Sequence, residues 1–252
     1  PPGFDPASGE RLPLVIWAYP QEYVDAATAG QVRAAPTRFT RLGGTSATMF
    51  LTQGYAVMFA SVPVVGDPET MNDTLLEQLE QAAKAAIDEA VKIGVADRDR
   101  VGVAGHSYGA FMVANLLAHT DLFKAGIARS GAYNRSFTPF GFQSERRTLW
   151  EAPDAYVEVS PLFSAARLDE PILLVHGEID DNPGTYPIQT QRLFHALQGL
   201  GGTARMVILP HESHGYQARE SILHLLYESF RWFDLHVKQA GPSGMTDTSA
   251  AP

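Results

Sequence analysis

Arg100-Val-Gly-Val-Ala-Gly-His-Ser-Tyr-Gly109 is a short apolar run that ends in Gly-x-Ser-x-Gly, and the residues after it, up to His119, carry a helical apolar pattern. A strand, a turn with glycine on both sides of a serine, and a helix in immediate succession describe a sharp strand-to-helix elbow. The serine backbone in such a turn is strained and bulky neighbours would clash, hence the flanking glycines. The elbow lifts the Ser107 hydroxyl above a sheet and sets a helix N-terminus behind it, with free N–H groups and positive potential where an oxyanion would form. The bland alternative is a glycine-rich strand–helix turn with an incidental serine, so partners elsewhere in the chain must decide.

Working outward, five more apolar runs of strand length appear: Leu12–Ala18, Tyr55–Val62, Lys124–Ser130, Pro171–His176 and Ala204–Leu209. Most lack polar alternation, as expected of strands buried on both faces of a parallel sheet. Helical patterns separate them at about Thr45–Gln53, Asn72–Ile93, Tyr108–His119, Pro187–Leu200 and Ala218–Lys238. In the clearest, Leu75, Leu76, Leu79, Ala83, Ile87, Ala90 and Val91 form one stripe, Asn72 or Asp73 is placed to cap its start, and Gly94 to end it. This alternation predicts an α/β fold with right-handed crossovers. The stretch Gly131–Asp169, rich in aromatics and prolines, breaks the rhythm, and long insertions on such sheets tend to be functional. Residues 241–252 read as a flexible tail after a domain spanning 1–240.

The 252 residues are 45% apolar and carry a net charge of −9. The length suffices for a real core, and the absence of any basic stripe excludes a nucleic-acid backbone as partner. With no cysteine there is no disulfide scaffold, thiolate-held zinc or cysteine nucleophile. No apolar run approaches the roughly 20 residues of a membrane span. Pro1–Asp5 is not a signal peptide, and the expected setting is soluble, cytoplasmic rather than secreted.

A nucleophilic serine needs a base, and the base an orienting carboxylate. On open α/β sheets these follow in the order Ser, Asp or Glu, His. His176-Gly-Glu-Ile-Asp180 begins at the end of one predicted strand, and His211-Glu-Ser-His-Gly215 follows another. Ser107, Asp180 and His214 thus all fall at carboxyl ends of strands, where such sheets place their active sites. Asp181 competes with Asp180, and His211 with His214. The His211–His214 spacing is not that of a zinc-binding helix, and no metal or organic cofactor is implied. His106 and His176 read as hydrogen-bonded supports, and His119, His195, His224 and His236 as surface or packing residues.

Five runs go beyond the short motif: Gly105-His-Ser-Tyr-Gly-Ala-Phe111, Phe123-Lys-Ala-Gly-Ile-Ala-Arg-Ser-Gly-Ala-Tyr-Asn-Arg135, Pro139-Phe-Gly-Phe142, Ile172-Leu-Leu-Val-His-Gly177 and Leu209-Pro-His-Glu-Ser-His-Gly-Tyr216. In these the sequence resembles the prolyl oligopeptidase family of serine peptidases, and within it the glutamyl endopeptidase branch. The resemblance covers nearly all of residues 1–238; Ala110, where many members have a second glycine, is a minor departure. It implies an α/β-hydrolase fold with Ser107, Asp180 and His214 as the triad. The backbone N–H of Tyr108 is then one oxyanion donor, and the hydroxyl of Tyr19, where many esterases have a His-Gly-Gly loop, the other. It also implies a peptide substrate and a propeller-like gate domain elsewhere in the full protein.

The resemblance generates two further expectations. In this fold the nucleophile follows the fifth strand, whereas Ser107 follows the third predicted one. Two leading strands, supplied from upstream of Pro1 in the same polypeptide or a paired one, are therefore expected beside Tyr55–Val62. The expected preference is for an acidic residue before the scissile bond, with Arg135 its reader in a pocket walled by aromatics such as Phe142, and with Asn182 lining it. The competing reading pairs Arg135 with Glu145, and Arg129, Arg146 and Arg147 are rival cations. An esterase or lipase on the same fold is the main alternative activity, and a binding module that has lost activity is a third; the complete triad argues against the last.

Overall fold

The computed structural model describes residues 1–31 and 42–240. The six predicted strands form one sheet: β1 (Leu12–Tyr23), β2 (Ala56–Val65), β3 (Ala96–His106), β4 (Ala125–Arg129), β5 (Ile172–Gly177) and β6 (Ala204–Leu209). Their order is β2-β1-β3-β4-β5-β6, with every pairing parallel. The helices are α1 (Ala26–Ala29), α2 (Leu75–Lys92), α3 (Tyr108–His119), α4 (Pro153–Glu158), α5 (Ile188–Leu200) and α6 (Arg219–Phe233), the last continued by a π-helical turn, Asp234–Lys238. None is long and apolar enough to cross a membrane.

Strand parity sorts the core into two layers. Leu14, Ile16, Val103 and Leu174 face α2, α3 and α5. Val15, Ala104, Ile127 and Val175 face α6 and a 3-10 helix, Ala47–Gln53. Every residue of β4 and β5 is buried, which accounts for their unbroken apolar runs. Helix α3 lies deepest, buried from Tyr108 to Ala118. The chain runs from β1 outward to β2, crosses back to β3, and then builds the sheet the other way. The crevice at the carboxyl ends of β1 and β3 is therefore the topological switch point where open α/β sheets bind ligands.

Several local expectations are corrected. Thr45–Gln53 forms a 3-10 rather than an α-helix, and Thr52 turns its hydroxyl back onto the Met49 carbonyl at 2.7 Å, a local bond that competes with helix propagation. Neither Asn72 nor Asp73 caps α2. Both lie in a 3-10 turn before it, where Asn72 donates to Glu145 at 3.2 Å and Asp73 pairs with Arg147 at 2.8 Å. Gly94, at φ 80°, does end the helix. Among the described residues β2 pairs only with β1, so its outer edge is open, with Phe59 60% exposed. The expected tail, 241–252, lies outside the described residues.

Ile87 is 1% exposed on the buried stripe of α2. Ile87→Ala should lower unfolding free energy by roughly 2–5 kcal/mol, read from the urea midpoint.

Candidate active site

Ser107 joins β3 to α3 with φ 57° and ψ −117°, a conformation that costs an L-residue about 1–3 kcal/mol. Its surroundings enforce it. A Cβ on Gly105 would collide with the Gly109 backbone, and one on Gly109 would lie 2.6 Å from the Ala18 carbonyl oxygen. The helix start is thereby pressed against β1 at Ala18. The Ser107 N–H donates to the Arg129 carbonyl at 2.8 Å, so β4 supports the turn as well.

The loops that carry Asp180 and His214 are locked to each other. A Cβ on Gly177 would strike the Glu212 and Ser213 carbonyls. The N–H groups of Glu178 and Ile179 donate to the carbonyls of Leu209 and Glu212, each at 2.9 Å. The buried Glu212 carboxylate accepts from the N–H groups of Gln217 and Ala218, both at 2.8 Å, where α6 begins. Across this frame His214 Nδ1 donates to Asp180 Oδ2 at 2.8 Å. Asp180 is 3% exposed. Burial pushes its pKa up, but hydrogen bonds from His176, His214 and the Asn182 N–H outweigh this and hold it at about 2. The donation fixes His214 as the Nδ1–H tautomer and leaves Nε2 free to take a proton. The neighbouring alternatives are placed elsewhere: Asp181 is exposed, and His211, its side chain 92% exposed, lies 3.9 Å from Glu178.

His176 and His106 differ as supports. His176 is fully buried; its Nε2 donates to Asp180 Oδ2 at 3.0 Å and its Nδ1 accepts from the Thr190 hydroxyl at 2.7 Å. Thr185 adds a third donor, 3.3 Å from the same oxygen and 3.1 Å from His214 Nδ1. His106 makes ring contacts instead, with centroids 4.9 Å from His214 and 5.8 Å from Tyr216. Burial drives its pKa down to about 3, so it is neutral. The sequence shows His176 four residues before Asp180, but their bond depends on the strand-to-loop turn, and Thr185 and Thr190 carry no sequence signal of their role.

Tyr19 lies within β1, two residues past the last β1–β3 pair at Trp17; it is 43% exposed, its ring edge-on to Tyr108 at 6.0 Å. The Tyr108 hydroxyl donates to Glu22 at 2.7 Å, and Glu22 also accepts from the Ser144 N–H at 2.6 Å; neither contact is foreseeable from spacing. Arg135, 3% exposed, lies between Phe111 and Phe142, its guanidinium carbon 4.2 and 4.5 Å from the ring centres and 5.6 Å from that of Tyr108. Its Nε and Nη2 are buried without hydrogen-bond partners. Glu145 is bound instead by Arg147, at 2.8 Å. Arg146 is exposed, and Arg129 sits on the opposite face of the sheet. Asn182 folds onto its own turn, its N–H donating to Asp180 Oδ1 and its side-chain oxygen accepting from the Gly184 N–H.

The sequence profile of the prolyl oligopeptidase family matches residues 71–240. The chain is 54% identical over 235 residues to an Arabidopsis thaliana protein named probable glutamyl endopeptidase, chloroplastic, covering 92% of this chain and 24% of that one. It is 51% identical over 253 residues to the Oryza sativa protein of the same name, covering 99% and 27%. It thus spans about a quarter of the length of these relatives. Among solved structures, Porphyromonas gingivalis dipeptidyl peptidase 4 superimposes with a TM-score of 0.72 at 23% identity, covering 92% of this chain and 32% of that one. Pyrococcus horikoshii acylaminoacyl peptidase gives 0.68 at 21%, covering 93% and 38%. At such identity the likeness establishes the fold alone, the α/β-hydrolase fold.

Two outcomes follow from this geometry. Ser107→Gly should be more stable than Ser107→Ala by about 1 kcal/mol, because only glycine tolerates the positive φ; paired urea melts measure it. Asp180 titrates at about 2 when folded and near 3.9 when unfolded. Its contribution to stability is therefore full above about pH 4 and lost as pH falls toward 2. Asp180→Asn should flatten the stability profile in that window, as read by thermal melts.

Proposed function

The chain belongs to the prolyl oligopeptidase family, and we propose that it is the catalytic part of a serine peptidase that cleaves after acidic residues. The observation that carries the peptidase reading is the 2.8 Å bond from His214 to a buried, ionised Asp180 beside the strained Ser107 elbow. Ser107 Oγ attacks the scissile carbonyl carbon as His214 Nε2 takes its proton. The carbonyl oxygen, now negative, accepts from the Tyr108 N–H and the Tyr19 hydroxyl. His214 returns the proton to the leaving nitrogen, the C–N bond breaks, and the acyl group stays on Ser107. Water then attacks the ester with His214 again as base, freeing the acid product and Ser107. Asp180 stabilises the imidazolium without taking its proton.

Arg135 supports the acidic preference. It is a buried cation with two unpartnered nitrogens, set among Phe111, Phe142 and Tyr108 next to the proposed oxyanion donor. Glu22, the acid that influences it electrostatically, is held by Tyr108 and Ser144. A substrate carboxylate would supply the counter-ion Arg135 lacks, and the guanidinium fork suits it. The names of the two plant relatives point the same way. The open edge of β2 supports a further part of the reading: strands from outside residues 1–252 pair along it, since a bare apolar edge invites aggregation.

Ser107→Ala should lower turnover on the order of a millionfold and Tyr19→Phe on the order of a hundredfold; near-normal rates would refute these roles. Substrates with one acyl part on an amide or an ester leaving group separate peptidase from esterase. Arg135→Leu should reduce kcat/KM for a Glu substrate far more than for its Gln isostere, whereas equal losses would make Arg135 a loop support. In the full-length protein, amides along residues 57–63 that β1 leaves unbonded should resist hydrogen exchange, and lose that protection in residues 1–252 alone.

A further inference from the structure

A second buried arginine lies across the sheet from Arg135. Arg129 ends β4, paired in register with His106. It is 6% exposed, its guanidinium carbon 4.1 Å above the centre of the Trp17 ring. Nη1 donates to the Thr45 carbonyl at 3.1 Å, and Nε is buried with no partner. No described carboxylate pairs with it, and residues 32–41, which precede Thr45 in the chain, contain three arginines and no acid. Burial lowers its pKa only to about 10, so it stays charged at neutral pH. A buried cation with no carboxylate partner is left under-compensated, and such a group beside a reaction centre calls for a ligand.

Arg129 lines a cavity of about 420 Å³ with Trp17, Ser46, His106, Tyr216 and Gln217, none of them acidic. His106 directly precedes Ser107. Gly215 and Tyr216, which also line the cavity, directly follow His214. The cavity therefore adjoins the proposed nucleophile and base from the α6 side, whereas Tyr108, Phe111, Phe142 and Arg135 belong to the α3 side. Chemistry assigns the two sides. The acyl part of a substrate lies by the oxyanion donors, and the leaving nitrogen must lie by the histidine that protonates it. The leaving peptide thus extends past His214, toward Arg129.

We propose that the cavity at Arg129 binds a carboxylate on the leaving side of the scissile bond. The carboxylate comes either from an acidic side chain at the first or second leaving residue or from the free C-terminus of a short leaving peptide. The site rests on the reading of Ser107 and His214 as nucleophile and base. It makes the enzyme a reader of acids on both sides of the bond, through two arginines on opposite faces of one sheet.

The test uses the full-length protein and peptides sharing one acyl part. One arm compares Glu with Gln at the first leaving residue, a second does so at the second residue, and a third compares a free C-terminus with its amide after two neutral residues. In at least one arm the carboxylate should raise kcat/KM roughly ten- to a hundredfold, the worth of a hydrogen bond to a charged group. Which arm responds identifies the source of the carboxylate. Arg129→Gln should bring that ratio to about one, and Arg129→Lys should keep part of it, while the acyl-side Glu/Gln ratio persists in both variants. Wild-type ratios near one in every arm would overturn the site whether or not the variants fold, as would a ratio that survives Arg129→Gln. Ser107-dependent cleavage without leaving-side discrimination would refute this site alone. Failure to cleave any of the peptides in a Ser107-dependent way would instead remove the peptidase reading, and this site with it.

Discussion

The backbone of Ser107 is the constraint on which the site is built. A residue at φ 57° does not hold that conformation alone; it is over-determined by what packs around it. Gly109 lies under the Ala18 carbonyl, Gly105 under Gly109, and the Ser107 N–H is taken by β4. These contacts tie three adjacent strands to the first turn of the most deeply buried helix. The same closeness brings Tyr19, one residue past Ala18, edge-on to Tyr108. Both proposed oxyanion donors are therefore positioned by the contact that strains the serine. Loosening the elbow would disperse Tyr19 and Tyr108 as well as Ser107.

The second fixed point is a single oxygen, Asp180 Oδ2, which receives His214, His176 and the Thr185 hydroxyl. A buried carboxylate with such a set of donors stays ionised, and each donor restrains the others. Asp180, which only accepts, fixes the His176 tautomer with its proton on Nε2, and the Thr190 hydroxyl donates to Nδ1. The Asp180 carboxylate thereby keeps one orientation toward His214. Gly177 supplies rigidity from the backbone side, since the loops that carry Asp180 and His214 touch where its side chain would be. His214 is held by a network that reaches back into β5 and α5, not by one hydrogen bond.

Much of this was legible before any coordinates. β4 and β5 are buried on both faces, so their apolar runs are uninterrupted and unmistakable. The order of Ser107, Asp180 and His214 at three strand ends is a property of the chain itself. What escaped reading depends on side chains brought together across long separations or on competition between near neighbours. Asn72 was a plausible helix cap until Glu145, far along the chain, claimed it. Arg135 and Glu145 were a plausible ion pair, but Arg147 is close enough along the backbone to take Glu145 by both its N–H and its guanidinium. That capture leaves Arg135 with no described carboxylate in ion-pair contact. Spacing shows which charges exist; it does not show which of them a nearer rival has already neutralised.

The treatment of charge around the elbow follows from how aromatic rings hold guanidinium groups. A ring face attracts the cation through its π-electrons along the normal to the guanidinium plane, whereas the N–H groups point outward within that plane. Phe111 and Phe142 against Arg135, and Trp17 against Arg129, therefore offset part of the desolvation cost without occupying the donors. A carboxylate neighbour would stabilise either arginine more, but it would also consume the donors. The net charge of −9 acts only weakly at distance, since salt screens it beyond about 8 Å. On the proposed reading, attraction for an acidic substrate arises inside the site, at contact distance and in a low dielectric, where one unpaired guanidinium outweighs many solvated surface carboxylates. Aromatic seating thus leaves guanidinium donors unspent inside a chain of negative net charge, and on the proposed reading these are the groups that recognise an acidic substrate.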